Sequence, residues 1–147
     1  MTPQRVTLIT LGVDDIARSR AFYEALGWQP AEAHEEVVFY QMHGAVLALF
    51  GRSALAQDQG RPAALLGTGA IALAQNFPTE AEVDVAWSAA LAAGATPLKA
   101  PEKVFWGGYS GYYADPDGHV WELAMNPFWP LAQDGSLTLP LRPSESP

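Results

Sequence analysis

Residues 5–13 (Arg-Val-Thr-Leu-Ile-Thr-Leu-Gly-Val) are rich in β-branched and apolar side chains and predict a first strand, after which Asp14 or Asp15 supplies a helix cap. From Ile16 the period changes. Ile16, Ser19, Phe22, Tyr23 and Leu26 recur at helical steps, and Gly27 provides the left-handed stop of one amphipathic helix of about three turns. Two short apolar runs, residues 37–42 and 45–50, flank His43-Gly44 and predict a hairpin. The first half therefore reads strand, helix, strand, strand. Residues 52–68 carry Gly60, Pro62 and Gly67 around a polar Gln-Asp-Gln and form a connection, with one short helical turn expected at 53–57.

The order then repeats. Residues 70–77 predict a strand, and Thr79-Glu80-Ala81-Glu82 has the spacing of a capping box. The helix that follows turns Val83, Trp87, Ala90 and Leu91 inward and stops at Gly94. Residues 97–106 are a less regular extended segment, and 107–127 form a hairpin around Asp115-Pro116-Asp117-Gly118. Proline at the second turn position and glycine at the fourth suit a type I turn closed by a glycine bulge. Past that turn His119, Trp121, Leu123 and Met125 share one face of a strand, while Val120, Glu122, Ala124 and Asn126 share the other. The two halves match in strand, cap, aromatic and stop at an offset of about 65 residues, which predicts an α+β chain with an internal pseudo-twofold repeat. In the tail, Leu137, Leu139 and Leu141 alternate over residues 135–141, a segment expected to dock as an extra strand or cover an opening, with fraying after Arg142.

Composition narrows the classes. With 147 residues, 49% of them hydrophobic, the chain can fill a core of its own. Cysteine is absent, which removes disulfides, thiolate metal sites and a cysteine nucleophile, and suits a reducing cytoplasm. No apolar run approaches the roughly 18 residues that span a bilayer, so neither a membrane nor an export role is expected. The net charge of −8 comes without any basic cluster, which argues against nucleic-acid binding. Acidity of this kind keeps a bacterial-type protein dispersed, and it also attracts cationic ligands.

The residues Val13-Asp14-Asp15-Ile16, Ser19, Phe22-Tyr23, Leu26-Gly27-Trp28 and above all Gly111-Tyr112-Tyr113-Ala114-Asp115-Pro116-Asp117-Gly118-His119 with Trp121-Glu122 resemble the vicinal oxygen chelate superfamily of glyoxalases, bleomycin resistance proteins, fosfomycin resistance enzymes and extradiol dioxygenases. The resemblance covers residues 6–127. It implies two βαβββ modules whose mixed sheets curl into a cup, with residues 1–60 as the first module and linker, 61–128 as the second, and 129–147 as a partly disordered extension. It also implies a homodimer that holds a small molecule.

In metal-binding members the last ligand is a glutamate at the position of Glu122. The other ligand positions fall here on Leu8, Ala48 and Ala70, which are carbon-only side chains, so no metal and no other cofactor is expected. Thr7, Thr10, Gln75 and Asn76 are the nearest polar substitutes. His34, His43 and His119 read as surface or turn-bonded residues rather than ligands. The expected binding residues are Ser110, Tyr112, Trp106, Thr10 and Glu122, in a pocket walled by Leu8, Ala48, Ala70 and Ala72. Two readings follow: a metal-free protein binding a cationic or aromatic molecule, or an isomerase, lyase or dioxygenase using Glu122 as general base or surviving ligand. The plain alternative for Glu122 is a structural bond to Tyr112 or to the backbone.

Overall fold

The computed structural model describes residue 2 and residues 4–140. The first half runs β1 (Leu8–Val13), α1 (Ile16–Ala25), β2 (Glu32–Ala33), β3 (Val37–Gln41) and β4 (Val46–Gly51). Next come α2 (Arg52–Gln59) and a 3-10 turn at Ala63–Leu65. The second half runs β5 (Ala72–Asn76), α3 (Glu80–Ala92), β6 (Thr96–Lys103), β7 (Tyr109–Ala114) and β8 (Val120–Met125). Each half is a βαβββ unit with one four-stranded sheet, ordered β1-β4-β3-β2 and β5-β8-β7-β6. In both, the opening strand lies parallel to the last while the remaining neighbours are antiparallel. The repeat read from caps and stops is a repeat of topology.

The local signals act as their chemistry requires. Asp15 caps α1 by accepting from the Arg18 backbone N–H at 3.1 Å, and Thr79 caps α3 by accepting from that of Glu82 at 3.2 Å. Gly27 and Gly94 follow the helices with φ of 95° and 106°, the left-handed backbone that glycine adopts without a Cβ clash.

Four segments differ from expectation. The connection holds a full helix, α2, because its apolar contacts, buried Ala56 and Leu55 against Gly12, are too few to show a period among polar neighbours. β2 has two residues, too few for alternation to register. The segment read as irregular is the edge strand β6, in which register shifts beside Pro97 and Pro101 hide the pattern. Leu91 is 38% exposed rather than inward, and residues 135–140 have no regular secondary structure, with Leu137 and Leu139 exposed. Leu141 and the residues after Arg142 lie outside the described residues.

One core joins the halves. Leu11, Val13, Val38, Tyr40, Leu47 and Leu49 come from the helix side of the first sheet, and Tyr113, Trp121 and Leu123 from that of the second. Between them lie Phe22 and Tyr23 of α1, with the Tyr23 ring stacked on Trp28 at 4.9 Å and edge-on to Trp121 at 6.2 Å.

Around this aromatic group the Asp-Pro-Asp-Gly turn is a staple. Asp115 Oδ2 accepts from the Tyr23 hydroxyl at 2.6 Å, and the Tyr23 hydroxyl oxygen in turn accepts from the Trp121 indole at 3.0 Å. Asp115 Oδ1 accepts from the backbone N–H groups of Asp117 and His119, each at 2.9 Å. Asp117 reaches the first half, accepting from the Asp14 N–H at 2.9 Å and from Arg18 at 3.0 Å. His119 Nε2 lies 2.7 Å from the Gly12 carbonyl, which can only accept, so that nitrogen carries the proton. His119 is thus a turn residue that ties β8 to β1.

Burial first, then the Asp115 carboxylate, hold the phenols of Tyr23 and Tyr113 above their ordinary range. Below about pH 10 these groups are neutral folded and unfolded, so they add no pH dependence. Above it the unfolded chain ionises first and folding loses about 1.4 kcal/mol per pH unit for each phenol kept neutral. These phenols therefore make stability measured by denaturant titration fall above about pH 10, and Tyr23→Phe makes that fall shallower by one proton.

Candidate functional site

Alternation decides what each strand shows to the side away from the helices. In β8, Trp121 and Leu123 enter the core, so Val120, Glu122 and Ala124 occupy the outer face. In β7, Tyr113 enters the core and Ser110 and Tyr112 take the outer face; in β5 that face carries Ala72 and Ala74. Register then sets the neighbours. Glu122 stands opposite Tyr112 and beside Ala74, and Ser110 stands opposite Ala124.

The Tyr112 hydroxyl donates to Glu122 Oε2 at 3.1 Å. Burial, and then the carboxylate beside it, hold the Tyr112 phenol above its ordinary range against the opposing effect of Lys99, so it remains a proton donor at neutral pH. Lys99 pairs with Tyr112 across the β6–β7 ladder and meets Glu102 at 3.0 Å. Ser110 is 6% exposed. Of the alanines beside this polar group, Ala72 and Ala74 are exposed and Ala124 is buried.

Trp106 completes the same surface. It lies in the turn before β7, where Gly107 adopts φ 97°. Gly108 has the outer-face parity of Ser110 and Tyr112, and a Cβ built on it would fall 1.9 Å from the Trp106 ring. The indole therefore lies over Gly108 on the outer face, 37% exposed. The structure brings together Trp106, Ser110, Tyr112 and Glu122 on one sheet: an aromatic face at one end and a carboxylate with its phenol donor further along.

It does not place Thr10 with them. Thr10 pairs with Ala48 in the first sheet, on whose outer face Leu8 also lies. The wall expected from Leu8, Thr10 and Ala48 belongs to one sheet, and that of Ala72, Ser110, Tyr112 and Glu122 to the other.

The first sheet has its own groove, of about 380 Å³, lined by Thr7, Leu8, Ala31, Glu32, Phe39, Gln41 and Val46. Sequence reasoning missed Glu32, Phe39 and Gln41. The signal was present for two of them: with Val38 and Tyr40 in the core, Phe39 and Gln41 must share the opposite face with Val46. Gln41 spends its amide nitrogen on the Met42 carbonyl at 2.9 Å, which leaves its oxygen as an acceptor.

Glu122 has few donor side chains beside it. The strand neighbours of Glu122 are Ala74 and Tyr112, the other expected ligand positions are Leu8, Ala48 and Ala70, and among the described residues no three His, Cys, Asp or Glu side chains converge. His34 is exposed and 3.2 Å from Glu32. Among the described residues no helix is long and apolar enough to cross a membrane.

A model of the Glyoxalase/Bleomycin resistance protein/Dioxygenase superfamily matches residues 5–123. Among solved structures, a glyoxalase-related enzyme from Fulvimarina pelagi is 42% identical with a TM-score of 0.87, covering 93% of this chain and 99% of its own. A glyoxalase/bleomycin resistance protein/dioxygenase family enzyme from Burkholderia phytofirmans PsJN is 22% identical (TM-score 0.74, 82% of this chain and 98% of its own). A lactoylglutathione lyase from Agrobacterium tumefaciens is 24% identical (TM-score 0.65, 87% of this chain and 98% of its own). These last two show the fold alone. No functionally curated protein matches the chain.

Proposed function

The chain belongs to the Glyoxalase/Bleomycin resistance protein/Dioxygenase superfamily, and from that premise we propose that it binds a small cationic or aromatic molecule without a metal, on the outer face that carries Trp106, Ser110, Tyr112 and Glu122. The observation that carries this reading is the Tyr112–Glu122 pair at 3.1 Å on a floor of alanines. A carboxylate held by one phenol retains acceptor capacity for a cation or a donor, and the indole over Gly108 offers a face for stacking. The first-sheet groove, whose rim carries the Glu32 carboxylate, has the same preference for apolar and positively charged matter.

Two outer faces left open, one with an apolar groove and 46% exposed Leu8, support a second copy of this chain as the partner that covers them. Sedimentation that gives the mass of a single chain at working concentration would remove that part of the proposal. Ethidium, a flat cation, is a suitable probe. Glu122→Gln and Trp106→Ala should each weaken it about tenfold, the loss of one ion contact or one stacked face. Equal affinity in both variants would move the site elsewhere.

A second reading has one observation in its favour: the protein from Fulvimarina pelagi is described as an enzyme. In that reading Glu122 takes a proton from the substrate while the Tyr112 hydroxyl, a neutral donor, stabilises the charge that forms. No step passes through a metal. Turnover of a hemithioacetal of glutathione that is lost in Glu122→Gln and unaffected by chelation would favour it.

A further inference from the structure

The two halves meet in a crevice on the helix side of the second sheet, remote in chemistry from the outer-face pair and lined by residues of both. Leu26 and Trp28 come from the segment that ends α1, and Gln75, Phe77, Ala86 and Tyr113 from β5, its exit, α3 and β7. Its volume is about 180 Å³. A dry cavity of about 150 Å³ with Leu and Phe walls holds one benzene ring, so the space suits a single small ring system.

The walls are fixed. Trp28 lies stacked on Tyr23 at 4.9 Å and 25°, and edge-on to Trp121 at 5.6 Å and 78°, so its exposed face is held in place before anything binds. A rigid aromatic wall costs a ligand little ordering. The polar groups are few. Tyr113 is 2% exposed and lines the crevice, and its hydroxyl is not one of the fully buried unpaired atoms among the described residues. The half-buried Gln75 lines the crevice from the same side of the sheet. Aromatic and aliphatic walls with two hydrogen-bonding side chains facing the space are the composition of a ligand site.

We propose that this crevice is a second small-molecule site, which takes a flat, neutral aromatic compound of about ten heavy atoms bearing one N–H or O–H group. The ring packs between Trp28 and Phe77, and its polar group bonds the Tyr113 hydroxyl, beside the Gln75 amide. Because the walls belong to both halves, an occupant bridges the joint.

Indole is the probe. Titrated into the full chain and followed by amide and indole N–H resonances, it is expected to bind with a Kd on the order of 1 mM, the strength open to so small a ligand. The perturbed signals should be the Gln75 side-chain amide and the Trp28 indole. Ala86→Leu, which fills the crevice, should abolish them; Tyr113→Phe should weaken binding about fivefold through one lost hydrogen bond. Any perturbation of the Trp106 indole should survive Ala86→Leu while those of Gln75 and Trp28 are lost, which separates this site from the outer-face reading. Absence of any perturbation at Gln75 and Trp28, showing a crevice filled by water only, overturns the proposal, as does perturbation of those two that survives Ala86→Leu. If that variant does not fold, unchanged affinity in Tyr113→Phe is the overturning result.

Discussion

Asp115→Ala is expected to lower stability by about 3–5 kcal/mol, because it strips the buried Tyr23 hydroxyl and two partly buried backbone N–H groups of their acceptor. The side chain sits in a residue 2% exposed and accepts at 2.6, 2.9 and 2.9 Å. Those bonds shape the turn, and through Asp117 and His119 the turn grips β1 and α1 of the other half. Losing the carboxylate therefore loosens both the hairpin and the joint. Asp115→Asn keeps an acceptor oxygen but exchanges the other for a donor facing a donor, so it should fall between wild type and alanine. Denaturant midpoints at constant slope provide the measurement. A loss below about 1 kcal/mol for the alanine variant would mean that the turn holds its shape without the staple.

Gly111→Ala should cost about 1–3 kcal/mol, as overpacking against a backbone that cannot swing aside. A Cβ there would lie 2.7 Å from the Pro101 nitrogen and 2.8 Å from the Lys99 carbonyl, where β6 bulges over β7. The strand must move, and with it Ser110, Tyr112 and Lys99. Gly67→Ala is the control. Gly67 has nothing within 4 Å of its Cβ position and no positive φ, so alanine there should be neutral or slightly stabilising.

These two positions show what in this chain can be read without coordinates. The Asp-Pro-Asp-Gly turn, the caps at Asp15 and Thr79 and the stops at Gly27 and Gly94 were legible because each is set by a few adjacent residues. Alternation put Ser110 and Tyr112 on one face of their strand, and the resemblance, rather than alternation, turned Glu122 to the same side, where the register places it. Contacts between distant segments were not legible. Nothing local shows that Asp115 meets Tyr23, that His119 meets the Gly12 carbonyl, or that the Trp106 ring lies over Gly108. The prolines of β6 concealed an edge strand, and the helix-side core that joins the halves, with its crevice at Trp28, arises only from packing. Thr10 is expected beside Glu122 only as part of the cup that the resemblance implies, and pairing places it in the first sheet.

Calorimetric titration of chelator-treated protein with ethidium, alongside the Glu122→Gln variant, tests the central claim most directly. Metal-free binding at the Tyr112–Glu122 face predicts saturable heat in the treated wild type and an affinity about tenfold weaker in Glu122→Gln. Absence of heat in the treated protein, with binding restored by adding nickel, zinc, manganese or iron, would contradict it.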